Sequence, residues 1–245
     1  MELVGAGWSM TGASNETANR TLAEAVGSFA AMHSTKKDAF FDTSVIQTVL
    51  HTVYGEWGSM FNPGDSSLGA SLPQTVYETK KGTCLGIGLL MLLLAEKSGY
   101  PLYGVVLPGH FFVRYDNGTS RRNIEPNASG IERTDEYYRQ RYGITPDSWY
   151  YPLRNLSKKE AAAVFFYMLG NDARQKRSLP VARGFYERSI TLFPGYPDAL
   201  GNLALVLAEQ GAIDSALALL DRAGRINPAD RNVSRNKVSL LLRVR

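Results

Sequence analysis

The sequence predicts an α+β domain, with helices packed on a small antiparallel sheet, followed by an all-α region of helical hairpins. Three observations lead there. The stretch from Cys84 to Ser98 is apolar nearly all round, and the runs between Leu102 and Glu125 favour strands. After Pro152 only helical patterns recur, and they repeat with a period of 34 residues. At 245 residues the chain suits one larger domain with a smaller one appended. The expected division is a loose N-terminus at 1–16, the α+β domain at 17–155 and the repeat region at 156–245.

Residues 1–16 are rich in Gly, Ser, Thr and Asn and show no period, which reads as a loose start. Leu22, Val26, Phe29 and Met32 recur at helical spacing, as do Ile46, Val49, Leu50 and Val53 beyond a polar break at 34–37. Two helices packed on the core are therefore expected. A loop at 62–67, an element over 72–78 and a breaker at 80–83 lead to Cys84. The run that Cys84 opens reads as a central helix enclosed by other elements, ended by Gly99. Gly86 and Gly88 lie inside it and read as close-packing positions rather than a phosphate loop. Residues 102–107 favour a strand, Pro108-Gly109 turns the chain, and 111–115 favour a second. Asp116-Asn117-Gly118 then signals a hairpin returning through 121–125.

In the repeat at 197–230, Leu200, Leu203, Ala204, Leu207, Gly211, Ala216, Leu220, Ala223 and Pro228 fall where a tetratricopeptide repeat places its packing residues. In the copy at 163–196 their counterparts are Phe166, Leu169, Gly170, Ala173, Arg177, Ala182, Tyr186, Ser189 and Pro194. Two pairs break size class: Ala173 opposite Leu207, and Arg177 opposite Gly211. Ala182 and Ala216 allow two helices to approach closely. Residues 232–245 are expected to form a capping helix.

Composition narrows the function classes. With 44% hydrophobic and 20% charged residues, the chain is of ordinary globular type. Its longest apolar run, 85–95, is far shorter than the roughly 20 residues that cross a bilayer, so no membrane span is expected. The N-terminus lacks the order of a secretory signal, which favours the cytoplasm, although a leader already removed would leave the same start. One cysteine rules out an internal disulfide framework and a multi-cysteine zinc site, and the three histidines are scattered. No metal or cofactor is expected. From Ser157 onward 14 Lys and Arg face 8 Asp and Glu, against 13 and 15 before it. Without interleaved aromatics this surplus reads as a solvated helical surface, and no nucleic acid is expected as partner.

A cysteine nucleophile works as the thiolate, so a site using one must steady the anion. Cys84 follows Gly82-Thr83 and opens the apolar helix, where unpaired backbone amides and the macrodipole favour negative charge. The same amides suit an oxyanion. His110 follows the Pro108-Gly109 turn and is the candidate base, a setting that His33 and His51 lack. Asn123 and Glu125 share one face of the returning strand, so either is placed to hold the imidazole. Gln74, ten residues before Cys84, reads either as a surface residue or as an oxyanion donor. Each residue alone has a plain structural reading; the ordered combination is what points to chemistry.

The segments Lys81-Gly-Thr-Cys84-Leu-Gly-Ile-Gly, Gly99-Tyr-Pro-Leu, Leu107-Pro-Gly-His110-Phe-Phe-Val and Asn123-Ile-Glu-Pro resemble the transglutaminase-like superfamily, in a branch with a C-terminal tetratricopeptide region. The resemblance spans about 62–125. It implies a papain-like fold with Cys84 as nucleophile, His110 as base and Glu125 where an Asp is usual. The extra methylene of Glu125 either shifts the imidazole or hands its role to Asn123. The implied activity is a thiol-dependent attack on a peptide or amide bond of a peptide or protein substrate through a Cys84 thioester, ending in hydrolysis or acyl transfer. The alternative is a non-catalytic scaffold, since the branch resembles proteins whose Cys is replaced. Its papain-like domain and repeats would hold a protein partner or a second copy of the chain.

Overall fold

A computed structural model describes residues 16–33, 42–64, 69–144, 153–228 and 230–243. Residues 1–15, which the sequence reads as loose, the break at 34–37 and part of the loop at 62–67 lie outside this set. The described residues fall into two compact units, one running up to Gly143 with Leu153–Ala161, the other from Ala162 onward with Ile144.

In the first unit, α1 (Glu16–His33) buries Leu22, Val26 and Phe29, but Met32 in its last turn is exposed although it fits the period. Helix α2 (Asp42–Leu50) passes into a π-helical segment, His51–Glu56. Strand β1 (Met60–Phe61) pairs in parallel with β2 (Lys81–Gly82) on either side of α3 (Pro73–Thr79). Lys80 closes α3 in the left-handed region with φ 65°.

Helix α4 (Cys84–Ser98) is the centre of the unit, and every residue in it except Cys84, Glu96 and Lys97 is buried. Thr83 caps it, its Oγ1 accepting from the Gly86 amide at 3.2 Å, and Gly99 ends it with φ 73°. Gly86 and Gly88 are close-approach positions. A methyl group on Gly86 would lie 2.5 Å from the Ala70 carbonyl oxygen, and one on Gly88 2.8 Å from the Phe111 ring. That contact seats α4 on the antiparallel sheet β3-β4-β5-β6, formed by β3 (Leu102–Leu107), β4 (His110–Asp116), β5 (Arg121–Glu125) and β6 (Ile131–Arg133). The β4–β5 turn is held by Asp116 and Asn117 side chains accepting from the amides of Gly118, Thr119 and Ser120. Beyond the sequence reading, besides the short β1–β2 pair and the π-helical segment, lie the edge strand β6 and α5 (Asp135–Tyr142), which Thr134 caps by accepting from the Tyr137 amide.

The second unit is built on α6 (Lys158–Gln175), whose first residues belong to the first unit, then α7 (Leu179–Leu192), α8 (Pro197–Glu209), α9 (Ile213–Ile226) and α10 (Arg231–Arg243). The 34-residue period reappears in the backbone. Ser178 donates to Ala173 as Ala212 does to Leu207, and Phe193 to Ser189 as Asn227 does to Ala223. Ala182, Tyr186, Leu200, Leu203, Ala204, Ala216, Leu220 and Ala223 are all in the buried cluster. Arg177 and Gly211 occupy equivalent turns, with φ 59° and 85°. A side chain in this region costs about 1 kcal/mol or more. Arg177→Gly is therefore expected to raise stability by up to about 1 kcal/mol, read as a higher melting temperature.

Candidate active site

Three elements converge on one point. The N-terminus of α4 presents Cys84, partly exposed; β4 begins with His110 and β5 ends with Glu125, both buried. His110 Nε2 donates to Glu125 Oε2 at 2.9 Å, and the Cys84 side chain lies near enough to the ring to raise its pKa. With Nε2 committed to the carboxylate, Nδ1 is the nitrogen left for the sulfur. Glu125 is held further by the Tyr138 hydroxyl, donating to Oε2 at 3.1 Å, and by the Asn127 amide, donating to Oε1 at 3.0 Å.

Burial alone would lower the pKa of His110. The interactions with Cys84 and Glu125, each able to carry negative charge beside the ring, outweigh burial and raise it to about 9. A thiol beside an imidazole that is itself held by a carboxylate can pass its proton to the ring and leave a steadied anion. The first turn of α4 adds its backbone amides, which have no acceptor within the helix.

The remaining residues singled out in the sequence are placed differently. Asn123 does not meet His110. Its Oδ1 accepts from Arg114 Nε at 2.6 Å, and its Nδ2 donates to Asp135 Oδ1 at 2.7 Å and to the Arg133 carbonyl at 3.0 Å. Arg114, wholly buried on β4, also reaches Asp135 Oδ1 at 2.5 Å and the Leu153 carbonyl. Gln74 is not a surface residue: it is 1% exposed, and its Nε2 has no hydrogen-bond partner among the described residues. It sits on α3, where Val76 packs against the positions of Gly82 and Gly86 beside the start of α4. Tyr138 and Tyr142 were not expected from the sequence. Both rings stack on His110, with centroids 6.1 and 5.1 Å away.

Comparison with known proteins adds the family. A family model of the transglutaminase-like superfamily matches residues 16–143, more than half of the chain. The chain belongs to the transglutaminase-like superfamily. A tetratricopeptide repeat matches residues 175–237 of this transglutaminase-like protein. A UPF0162 protein of Pasteurella multocida (strain Pm70) is 34% identical over 70 residues, covering 28% of this chain and 26% of that protein. A UPF0162 protein of Xylella fastidiosa (strain Temecula1) is 25% identical over 191 residues, covering 73% of this chain and 64% of that one. The chain thus spans less than two thirds of either relative. Among solved structures, the crystal structure of menin, described with its binding site for the Mixed Lineage Leukemia protein, aligns with TM-score 0.43 at 10% identity. The alignment covers 86% of this chain and 60% of menin, a likeness too remote to bear on function. Among the described residues of the transglutaminase-like protein, no helix is long and apolar enough to cross a membrane. No group of three or more His, Cys, Asp or Glu among them could hold a metal ion.

The raised His110 pKa has a consequence for stability in the transglutaminase-like domain. A histidine at about 9 when folded, against an ordinary 6.5, stabilises the fold fully below pH 6.5 and loses that contribution as pH rises through 9. The upper limit is roughly 3 kcal/mol. Melting temperature is expected to fall across that window in the native chain, and to be flatter in His110→Gln.

Proposed function

We propose that the transglutaminase-like domain is a thiol-dependent enzyme acting on a peptide or amide bond, with its papain-like site formed where α4 meets the sheet. The observation carrying this reading is the convergence of Cys84, partly exposed at the start of α4, with the buried and hydrogen-bonded pair His110 and Glu125. In the proposed reaction the Cys84 sulfur attacks the carbonyl carbon, the C–N bond breaks, and His110 gives its proton to the departing amine. A thioester remains on Cys84. Water or a second amine then attacks it, His110 taking the proton from the incoming group, and the thiolate leaves.

Glu125, not Asn123, is assigned the orienting role, because its carboxylate meets Nε2 while Asn123 is engaged by Arg114. The one-methylene extension relative to Asp is consistent with a carboxylate that reaches across from β5 to the first residue of β4. Gln74 is assigned to the oxyanion together with the Cys84 amide. A buried donor left without a partner costs about 1–3 kcal/mol, which a transient anion would repay during the reaction. Gln74→Ala is expected to slow acylation of Cys84 by about 10²–10³-fold without lowering the melting temperature.

The test is acylation by an activated ester such as p-nitrophenyl acetate. A burst of one equivalent, with the acyl group on the peptide containing Cys84 and none in Cys84→Ala, is the expected result. A burst that persists in Cys84→Ala contradicts the assignment.

A scaffold reading has one observation in its favour. The repeat unit holds a cavity of about 500 Å³ lined by Asn171, Arg174, Arg177, Asn202 and Glu209 among others, a polar lining in which Arg174 pairs with Glu209 and Asn202 donates to Asn171; we infer that a bound protein segment would exchange with these pairs. On that reading Cys84→Ala retains the partner, whereas Asn202→Ala loses it.

A further inference from the structure

We propose that α5 is a clamp on the His110–Glu125 pair, with Tyr138 a positioning residue that holds Glu125 toward Nε2 and Tyr142 a wall over the imidazole. This rests on the reading of Cys84 and His110 as nucleophile and base. The two tyrosines lie four residues apart and so share one face of the helix. Tyr138 donates to the same carboxylate oxygen that His110 reaches, at 3.1 Å against 2.9 Å. Its ring lies flat on Phe112, 4.0 Å away and 5° from parallel, and is fully buried, so the hydroxyl has one place to point.

Tyr142 covers the other part of the ring. It stacks within 7° of parallel to His110 at 5.1 Å and is itself half-buried. Burial, then the charges of Glu125 and Cys84, raise its phenol to about 12. A carboxylate enclosed by aromatic rings is costly unless donors reach it. Besides His110 and the Asn127 amide, Tyr138 is the donor recorded on it among the described residues. The titratable groups facing the pair are Cys84 from α4, Tyr138 and Tyr142 from α5, and Tyr54 from the π-helical segment. Tyr54 donates instead to the Pro126 carbonyl at 3.1 Å.

The helix carrying the tyrosines is fixed at its start. Thr134 caps it, and Asp135 in its first turn is held by Arg114 and Asn123. The clamp is thus anchored to β4 and β5, the two strands whose side chains it aligns. A hydroxyl hydrogen-bonded to a buried charged group is worth enough that its loss should be read as about a tenfold change or more.

The experiment measures the rate of alkylation of Cys84 by iodoacetamide against pH in the native chain, His110→Ala, Tyr138→Phe, Glu125→Gln and the double variant. Tyr138→Phe keeps the ring on Phe112 and removes only the hydroxyl. It is expected to slow alkylation near pH 6 about tenfold and to move the midpoint of the profile up by about one unit. In Glu125→Gln, adding Tyr138→Phe is expected to change nothing further, since the hydroxyl acts through Glu125. A Tyr138→Phe profile overlying the native one, or a tenfold effect persisting on Glu125→Gln, overturns the clamp. Should Tyr138→Phe fail to fold, Tyr142→Ala decides: slower alkylation supports the clamp and the native rate overturns it. A native profile identical to that of His110→Ala instead sinks the underlying reading of the site, which keeps the two failures apart.

Discussion

In His110→Ala, alkylation of Cys84 by iodoacetamide at about pH 6 is expected to fall by roughly two orders of magnitude. The chain has one cysteine, so the reaction reports on this sulfur alone. In the native chain the imidazole beside the sulfur carries a pKa of about 9 and is charged at pH 6, where a cation next to the sulfur favours the reactive anion. With alanine in its place the sulfur has no imidazole beside it to favour the anion. A thiol near 8.5 has on the order of 0.3% thiolate at pH 6, which sets the size of the loss. Because Glu125 would be left buried without its cationic partner, the variant should also be less stable, and the rate must be compared at a temperature where both proteins are folded.

Arg114→Ala is expected to have the largest effect on stability, a loss of about 3–5 kcal/mol, or of order 10 °C in melting temperature for a chain of this size. The guanidinium is wholly buried and serves three acceptors at once: Asn123 Oδ1, the Leu153 carbonyl and Asp135 Oδ1. It also lies 5.6 Å from the Phe112 ring centroid. Truncation leaves a cavity, strips the carbonyl and the amide oxygen of their donor, and leaves Asp135 without its cation. Arg114→Lys recovers little, because one ammonium cannot match a planar fork with separate contacts at Nε, Nη1 and Nη2.

The parts of this site that were legible in the sequence are those with local signals. Cys84 was marked by a breaker followed by an apolar run, and the strands by β-favouring residues around Pro108-Gly109 and Asp116-Asn117-Gly118. The choice between Glu125 and Asn123 was not legible from strand alternation, which puts both on one face and is silent on what each meets. Register decides it: Arg114 pairs with Asn123 and Val113 with Ile124, which gives Asn123 to Arg114 and leaves Glu125 for His110. Counting back from the hairpin turn would have exposed this. An arginine within the apolar run of β4 was also a signal, since such a residue needs a buried acceptor.

Helix α5 was missed for a different reason. Only Tyr138 on it is fully buried, so it has no apolar stripe to reveal it, and what burial it has depends on Phe112, Glu125 and His110, all distant in sequence. Of the two readings of Gln74, polarity alone favours the surface one, and its burial on an element packed against the start of α4 rules that one out. Met32 failed in the opposite sense. It keeps the helical period but falls in the final turn of α1, where fitting the spacing does not guarantee a neighbour to pack on.

The pairing of the Cys84 sulfur with the His110 imidazole is tested most directly by a pH titration of the chain with nitrogen-15-labelled histidine, followed by nuclear magnetic resonance. His110 is told from His33 and His51 by the loss of its signals in His110→Gln. Its ring is expected to keep both protons well past neutrality and to titrate near pH 9, with the midpoint falling in Cys84→Ser. A ring that titrates near 6.5 in both proteins, untouched by removal of the sulfur, contradicts the account.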